Sequence, residues 1–171
     1  MDEPKRGGKS NGSAGELSPG ARRVQESLTA AGLDCNVVEM AQTTRSAQDA
    51  ARAVGCAVGQ IAKSLLFQGA ESGEPLLVIT SGANRVDEAR LAQTIGEPVR
   101  KADAELVRRR TGFAIGGVPP VGHREPLRIF IDEDLLAHPA IWAAAGTPQA
   151  VFKLTPEQLQ KITGGKVVRV K

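Results

Sequence analysis

Two adjacent glycines followed, one residue later, by two adjacent prolines constrain this chain more than any other feature. The stretch reads Thr111-Gly112-Phe113-Ala114-Ile115-Gly116-Gly117-Val118-Pro119-Pro120-Val121-Gly122-His123. Glycine lacks Cβ, so at Gly116 and Gly117 the backbone can take positive φ and let another molecule approach its N–H groups. Pro119 and Pro120 fix φ and withdraw two donors, which stiffens the C-terminal half of the loop. The lead-in Phe113-Ala114-Ile115 reads as a strand. A rigid loop bare of side chains suits a ligand read by backbone groups; the same residues also suit an ordinary strand-ending turn. His123 is close enough to the loop to serve such a ligand as acid, base or donor.

Around this loop helical and extended patterns are mixed. Ser18-Pro19 reads as an N-cap with proline at the first helical position. The helix it opens carries Val24, Leu28 and Leu33 on its apolar face and stops near Gly32. Residues 35–40 read as a strand and 44–54 as a helix with Ser46 as a candidate cap. Residues 61–67 read as an apolar strand carrying a lysine, Lys63, and 68–75 as a hairpin connection. The run 76–80 is continuously apolar, typical of a central strand covered on both faces. Helices are expected over 86–96, 102–110 and 155–163, strands over 127–131, 140–145, 150–154 and 167–170, a short strand or extended link over 98–101, and a loop or turn over 132–139. Residues 1–18, without periodicity and rich in Gly, Ser, Lys and Glu, read as a disordered leader. That leaves 19–171 as a single compact domain, of α/β (α+β) class, with a mixed, largely antiparallel sheet flanked by helices.

Composition narrows the chemistry. Aromatic residues make up 3% of the chain, with four Phe, one Trp and no Tyr. The core must be built from Leu, Val, Ile and Ala, and readout of nucleic acid by base stacking lacks its platforms. The net charge of +3 is compatible with phosphate contacts and too small to argue for them. Cys35 and Cys56 form no CxxC pair and read as buried thiols; with His123 and His138 scattered singly they make no zinc signature. The cluster Asp132, Glu133, Asp134 is not spaced for coordination. No metal and no cofactor is expected. An apolar run of about 18 residues is missing, and the N-terminus has no apolar export core. A cytoplasmic protein with neither membrane nor DNA as partner is expected.

Lys63 lies in an apolar strand between Ile61 and Leu65, where its ammonium costs desolvation unless it finds an anion. Alternatively it snorkels from the solvent side of the strand. Asn84, Arg85, Arg108, Arg109 and Arg110 could contact phosphate, or could simply solvate helix faces. His138, beside Pro139, reads as a surface or cap residue. A Ser64/Lys63 pair fails because adjacent strand residues point to opposite faces. Neither a GxSxG elbow, a P-loop nor a GxGxxG motif is present.

Ile61-Ala62-Lys63-Ser64-Leu65-Leu66-Phe67, Leu77-Val78-Ile79-Thr80 and the Gly116-Gly117-Val118-Pro119-Pro120 loop together closely resemble the YbaK-like family. This is the family of the editing (insertion) domain of bacterial prolyl-tRNA synthetase and its free-standing relatives. The resemblance runs from about residue 22 to the C-terminus. It implies hydrolysis, in trans, of the ester joining a wrong amino acid to tRNA, usually tRNA-Pro, on a compact mixed α/β fold without a metal. Its implied catalytic positions are Lys63, holding the acceptor end or its terminal phosphate, and Gly116 and Gly117, offering backbone N–H groups to the scissile carbonyl. The resemblance further implies that water attacks, aided by the substrate's own ribose hydroxyl. Its implied substrate-binding positions are Met40, Phe67, Ser81, Pro120, His123, Ala144 and Gly146, with Met40, Phe67 and Ala144 forming an apolar pocket for a small side chain. In members that remove Cys a serine is expected near the place of Ala144 and a tyrosine near that of Met40; this chain has neither. Aminoacyl-tRNA, through its acceptor end, is the implied partner, with prolyl-tRNA synthetase a candidate associate. A non-catalytic tRNA- or nucleotide-binding module of the same fold is the alternative.

Overall fold

The computed structural model describes residues 17–171. The expected leader, 1–18, lies outside the described residues except at its end. There Leu17 is already buried in the core, and the Ser18 N–H donates to Glu39 Oε1 at 2.7 Å.

The described residues form five helices and eight strands. Helix α1 (Pro19–Ala30) leads to β1 (Val38–Glu39), α2 (Ala47–Val54) and a 3-10 turn, Val58–Gln60. The central hairpin is β2 (Ile61–Gly69) and β3 (Pro75–Ser81), then come α3 (Glu88–Ile95), β4 (Val99–Lys101) and α4 (Ala104–Thr111). After the glycine-proline loop come β5 (Arg128–Asp132), a 3-10 segment (Glu133–Ala137), β6 (Ile141–Ala144), β7 (Ala150–Leu154), α5 (Pro156–Thr163) and β8 (Lys166–Val168). The strands form one sheet in the order β1-β7-β6-β2-β3-β5-β8, with β4 also on β2. Pairing is antiparallel for β1/β7, β6/β7, β2/β3 and β2/β4, and parallel for β2/β6, β3/β5 and β5/β8. The expected mixed α/β architecture is the one observed.

Alternation along the strands sorts the core into two faces. Ala62, Leu66, Leu77 and Ile79 pack with Val24, Leu28, Val107 and Leu159 from α1, α4 and α5. Phe67, Leu76 and Val78 face the opposite way, with Leu91 of α3 and Phe130. Ile61, on that second side, packs on Ala47, Ala50 and Ala51 of α2 and on Trp142. The run 76–80 is therefore covered on both faces, as its continuous apolarity requires.

Several boundaries differ from the pattern reading. Phe113-Ala114-Ile115 is not a strand. The Thr111 hydroxyl accepts from the Phe113 N–H at 3.1 Å and lies 3.2 Å from the Phe113 carbonyl, so the groups a ladder would need are held locally. Phe113 is buried, whereas Ile115 is 51% exposed. The strand expected over 35–40 shrinks to two residues because Gln25 takes both the Val37 N–H and the Cys35 carbonyl. Helices α2, α3 and α4 begin later than expected, after caps at Ser46, Asp87 and Asp103 that each accept a backbone N–H. The loop or turn expected over 132–139 is a 3-10 segment, as read. Cys35 is buried as expected, but Cys56 is only partly so.

Candidate active site

A break in the sheet makes the site. One edge of β2 pairs with β3 from Ala62 to Gln68. The other edge pairs with β6 only at Ile61 and Ala62, and with β4 only from Phe67 to Gly69. Between those partners the edge is open. The Ile61 carbonyl accepts from Gly82 on the β3 side, so odd-numbered residues aim their peptide groups at β3 and even-numbered ones at the opening. The Leu66 carbonyl is taken there by the Ala102 N–H at 3.0 Å. This leaves the Ser64 peptide groups and the Leu66 N–H facing the gap.

The glycine loop covers the gap. The Gly117 N–H donates to the Ala114 carbonyl at 3.0 Å, closing a tight turn in which Gly116 has φ 90°. A positive φ at the third position of such a turn needs glycine. Gly117 has a different constraint, since a Cβ there would meet the Thr147 backbone at 2.8–2.9 Å. Its carbonyl accepts from the Gly146 N–H at 2.9 Å, and Gly146 in turn packs against the Gly20 backbone. Three backbones stacked in contact thus hold the Gly116 turn over β2.

Under the turn lies a cavity of about 170 Å³. Its floor is β2 from Ile61 to Leu65, its sides are Thr44, Arg45, Ala47 and Ala50 from the α2 entry and Trp142, Ala143 and Ala144 from β6, and Ile115, Gly116 and Val118 form its roof. A second cavity, of about 210 Å³, shares Ser64, Leu65, Ile115, Gly116 and Val118 and continues toward Lys101 and Val107. Lys63 and Ser64 point to opposite faces of the strand, yet both line the first cavity because the gap opens the sheet to both sides. Burial, then Lys101 and Arg85, push the Lys63 ammonium below the ordinary lysine range. Among the described residues the ion pairs are Arg110–Glu125 and Lys171–Asp134, so no carboxylate neutralises Lys63, Arg85, Lys101 or Arg45. Among the described residues the Ser64 hydroxyl is buried without a hydrogen-bond partner. An anionic ligand with a polar group for Ser64 complements this arrangement.

Of the residues singled out by sequence, Lys63, Gly116 and Ala144 meet at the cavity. Gly117 and Gly146 stand behind it, and Gly117 contributes no free N–H because its own closes the turn. The others lie elsewhere. Phe67 is fully buried on the α3 side of the sheet, since its parity in β2 turns it away from the Gly116 turn. Met40 donates its N–H to Gln149 at the β1 margin. Ser81 donates its hydroxyl to the Gly59 carbonyl and its N–H to Asp132. Pro120 and His123 line a separate cavity of about 400 Å³ with Leu127, Ile129 and Ile162. His123 Nε2 is 2.6 Å from the Pro119 carbonyl, and burial pushes its pKa down. Asp132 is buried and accepts from Thr80, Ser81, Asn84 and Asp134, which explains the acidic cluster structurally. Among the described residues no group of three or more His, Cys, Asp or Glu could hold a metal ion. Arg45 and Ser64 were not singled out as site residues by sequence. No pattern marks them, because the gap that gathers them is a property of strand order.

The match to known proteins agrees with this geometry. Residues 41–162 match the aminoacyl-tRNA editing domain family. A solved structure of a proposed trans-editing enzyme for prolyl-tRNA synthetase superposes with a TM-score of 0.86 at 52% identity, covering 91% of this chain and 98% of that one. The uncharacterised protein YwhH of Bacillus subtilis is 30% identical over 132 residues, 77% of this chain and 83% of its own length. EbsC of Enterococcus faecalis, a proposed Cys-tRNA(Pro)/Cys-tRNA(Cys) deacylase, is 26% identical over 73% of this chain and 76% of its own. The matched span includes β2, the cavity and the glycine-proline turn together. The chain belongs to the aminoacyl-tRNA editing domain family, enzymes that deacylate aminoacyl-tRNA.

Proposed function

We propose that this chain hydrolyses, in trans, the ester of a small non-cognate amino acid such as Ala, Ser, Thr or 2-aminobutyrate on tRNA-Pro. The observation that carries the reading is the meeting of Lys63, the unpartnered Ser64 hydroxyl and the Gly116 turn around one small apolar cavity. The relatives named for prolyl-tRNA synthetase and for Cys-tRNA(Pro) support the choice of tRNA.

In this mechanism the amino-acid side chain enters between Ala47, Ala50, Ile61 and Trp142, and Lys63 holds the acceptor end. The lining contains no carboxylate, imidazole or thiol. Water is the nucleophile, aided by the neighbouring ribose hydroxyl. It adds to the ester carbon, the oxyanion is met by the Gly116 N–H, and the carbon–oxygen bond to the ribose breaks as a proton passes to the departing ribose oxygen. Apolar walls distinguish one methylene from none by only about 1–3 kcal/mol, so a range of small side chains is accepted. Thr44 and Ser46 hydroxyls are engaged with the Pro148 carbonyl and the Asp49 N–H, leaving Ser64 to meet a polar group. The reaction belongs in the cytoplasm, beside prolyl-tRNA synthetase.

The test is deacylation of tRNA-Pro charged separately with Ala, Ser, Thr, Cys, 2-aminobutyrate and Pro. Loss of one or more small non-cognate esters with Pro spared, abolished in Lys63→Ala, is expected. Survival of every ester at high enzyme concentration rejects the reading in favour of a binding module.

A further inference from the structure

Arg45 is a cation fixed at the lip of the cavity, and neither the sequence motifs nor the family match gives it a role. Its backbone is pinned from both sides. Thr44 donates through its N–H and its hydroxyl to the Pro148 carbonyl, and Ser46 caps α2. Its stem lies across the catalytic turn: a Cβ at Gly116 would stand 2.9 Å from Arg45 Cγ and 3.7 Å from Nε. Glycine at 116 thus serves a second purpose, making room for this side chain. Arg45 is exposed, and among the described residues no carboxylate pairs with it.

We infer that Arg45 is a positioning residue that grips the 5′-phosphate of the nucleotide carrying the esterified amino acid. The inference rests on the deacylase reading. With the side chain in the cavity and the ester carbonyl at Gly116, the ribose occupies the mouth, and its 5′-phosphate lies a few bonds beyond, at the lip. Two cations flank that mouth, and they differ in kind. Lys63 is a compact charge on the floor, half-buried and close to the ester. Arg45 is outside, permanently charged, and presents the planar fork that matches two phosphate oxygens. Because its stem also roofs Gly116, phosphate binding and the placement of the oxyanion donor are mechanically connected.

Arg45→Met keeps the stem and removes the charge, and Arg45→Lys restores a charge without the fork. The probes are aminoacyl-tRNA-Pro at a series of salt concentrations, and alanine esterified to the ribose of adenosine or of its 5′-monophosphate. The expected result is a salt dependence of kcat/KM shallower by about 0.7 in Arg45→Met, the slope of one lost single-strand phosphate contact. On the small esters, the penalty should be about tenfold greater with the 5′-phosphate than without it, with partial recovery in Arg45→Lys. An unchanged salt slope, or equal penalties on both esters, would mean a wall and not a phosphate grip, and overturns the inference. If the parent protein hydrolyses neither the small esters nor any charged tRNA, it is the deacylase reading that fails.

Discussion

Gly117→Ala is the sharpest test of how the Gly116 turn is held. The φ at Gly117 is not in the left-handed region, so alanine carries no dihedral penalty there. The whole cost is steric. Its Cβ would stand 2.8 Å from Thr147 Cα and C and 2.9 Å from the Thr147 nitrogen. These are backbone atoms, which no rotamer change can move. Forcing a methyl into such a contact costs about 1–3 kcal/mol. Separating the two backbones also weakens the Gly146 N–H bond to the Gly117 carbonyl, about 1 kcal/mol more. The expected destabilisation is therefore about 2–4 kcal/mol, read in urea unfolding, or roughly 5–15 °C in thermal unfolding at this chain length. Deacylation should fall further than stability alone accounts for, because Gly116 moves with its neighbour. Adding Thr147→Gly should give no rescue, since it removes only side-chain atoms. Gly116→Ala provides the contrast: its clash is with Arg45 Cγ, a side-chain atom that a change of rotamer can move, and its remaining cost is the positive φ, about 1–2 kcal/mol. A Gly117→Ala protein that melts with the parent, or that Thr147→Gly restores, refutes the argument.

Other substitutions separate stability from activity. Lys63→Met should abolish deacylation while leaving stability within about 0.5 kcal/mol of the parent or raising it, since the ammonium is partly desolvated beside two like charges; chemical unfolding beside the ester assay checks this. Ser64→Ala removes a buried hydroxyl without a partner, so stability should rise by about 1 kcal/mol while hydrolysis slows. Thr111→Val leaves the Phe113 N–H unpaired and should cost about 1–3 kcal/mol in unfolding experiments. His123 has a folded pKa below its unfolded value of about 6.5. Its contribution to stability is therefore full above that unfolded value and is lost as pH falls through the folded one; unfolding at a series of pH values should show this slope, and His123→Gln should flatten it.

Whether a feature is legible in the sequence depends on how far along the chain its causes lie. The continuous apolar run 76–80 dictated a two-sided central strand, and alternation within β2 put Lys63 and Ser64 on opposite faces. Both are local periodicities. The glycine pair was legible as a bare turn, but its division of labour was not: Gly116 supplies φ and Gly117 supplies proximity to Thr147, which is remote in the chain. Phe67 was misplaced for a related reason. Apolarity marks it as buried and leaves open which of the two cores receives it, and the partners on α3 decide. His123 lies near the loop in sequence, but Pro119 and Pro120 carry the chain away from the cavity and the ring turns back onto the Pro119 carbonyl.

The part of the site that escaped sequence did so because it consists of interactions left incomplete. A strand edge open between two partners normally invites pairing and is protected. Here, among the described residues, β2 leaves the Ser64 peptide groups without a ladder, keeps a buried hydroxyl without a partner, and places Lys63 beside Lys101 and Arg85 with no carboxylate to neutralise it. Each of these lowers the stability of the free protein, and all three lie within one short stretch of one strand. An aminoacylated ribose with its phosphate complements them together, offering donors and acceptors to the edge, a polar atom to Ser64 and negative charge to the cations. Ligand that binds only the folded form should recover that lost stability by mass action. A non-hydrolysable amide analogue of the aminoacyl nucleotide should therefore raise the melting temperature in proportion to the logarithm of its concentration. The gain should shrink in Lys63→Met and in Ser64→Ala, although both variants are at least about as stable alone. Equal gains in all three proteins would place the ligand elsewhere, and the open edge of β2 would then need another explanation.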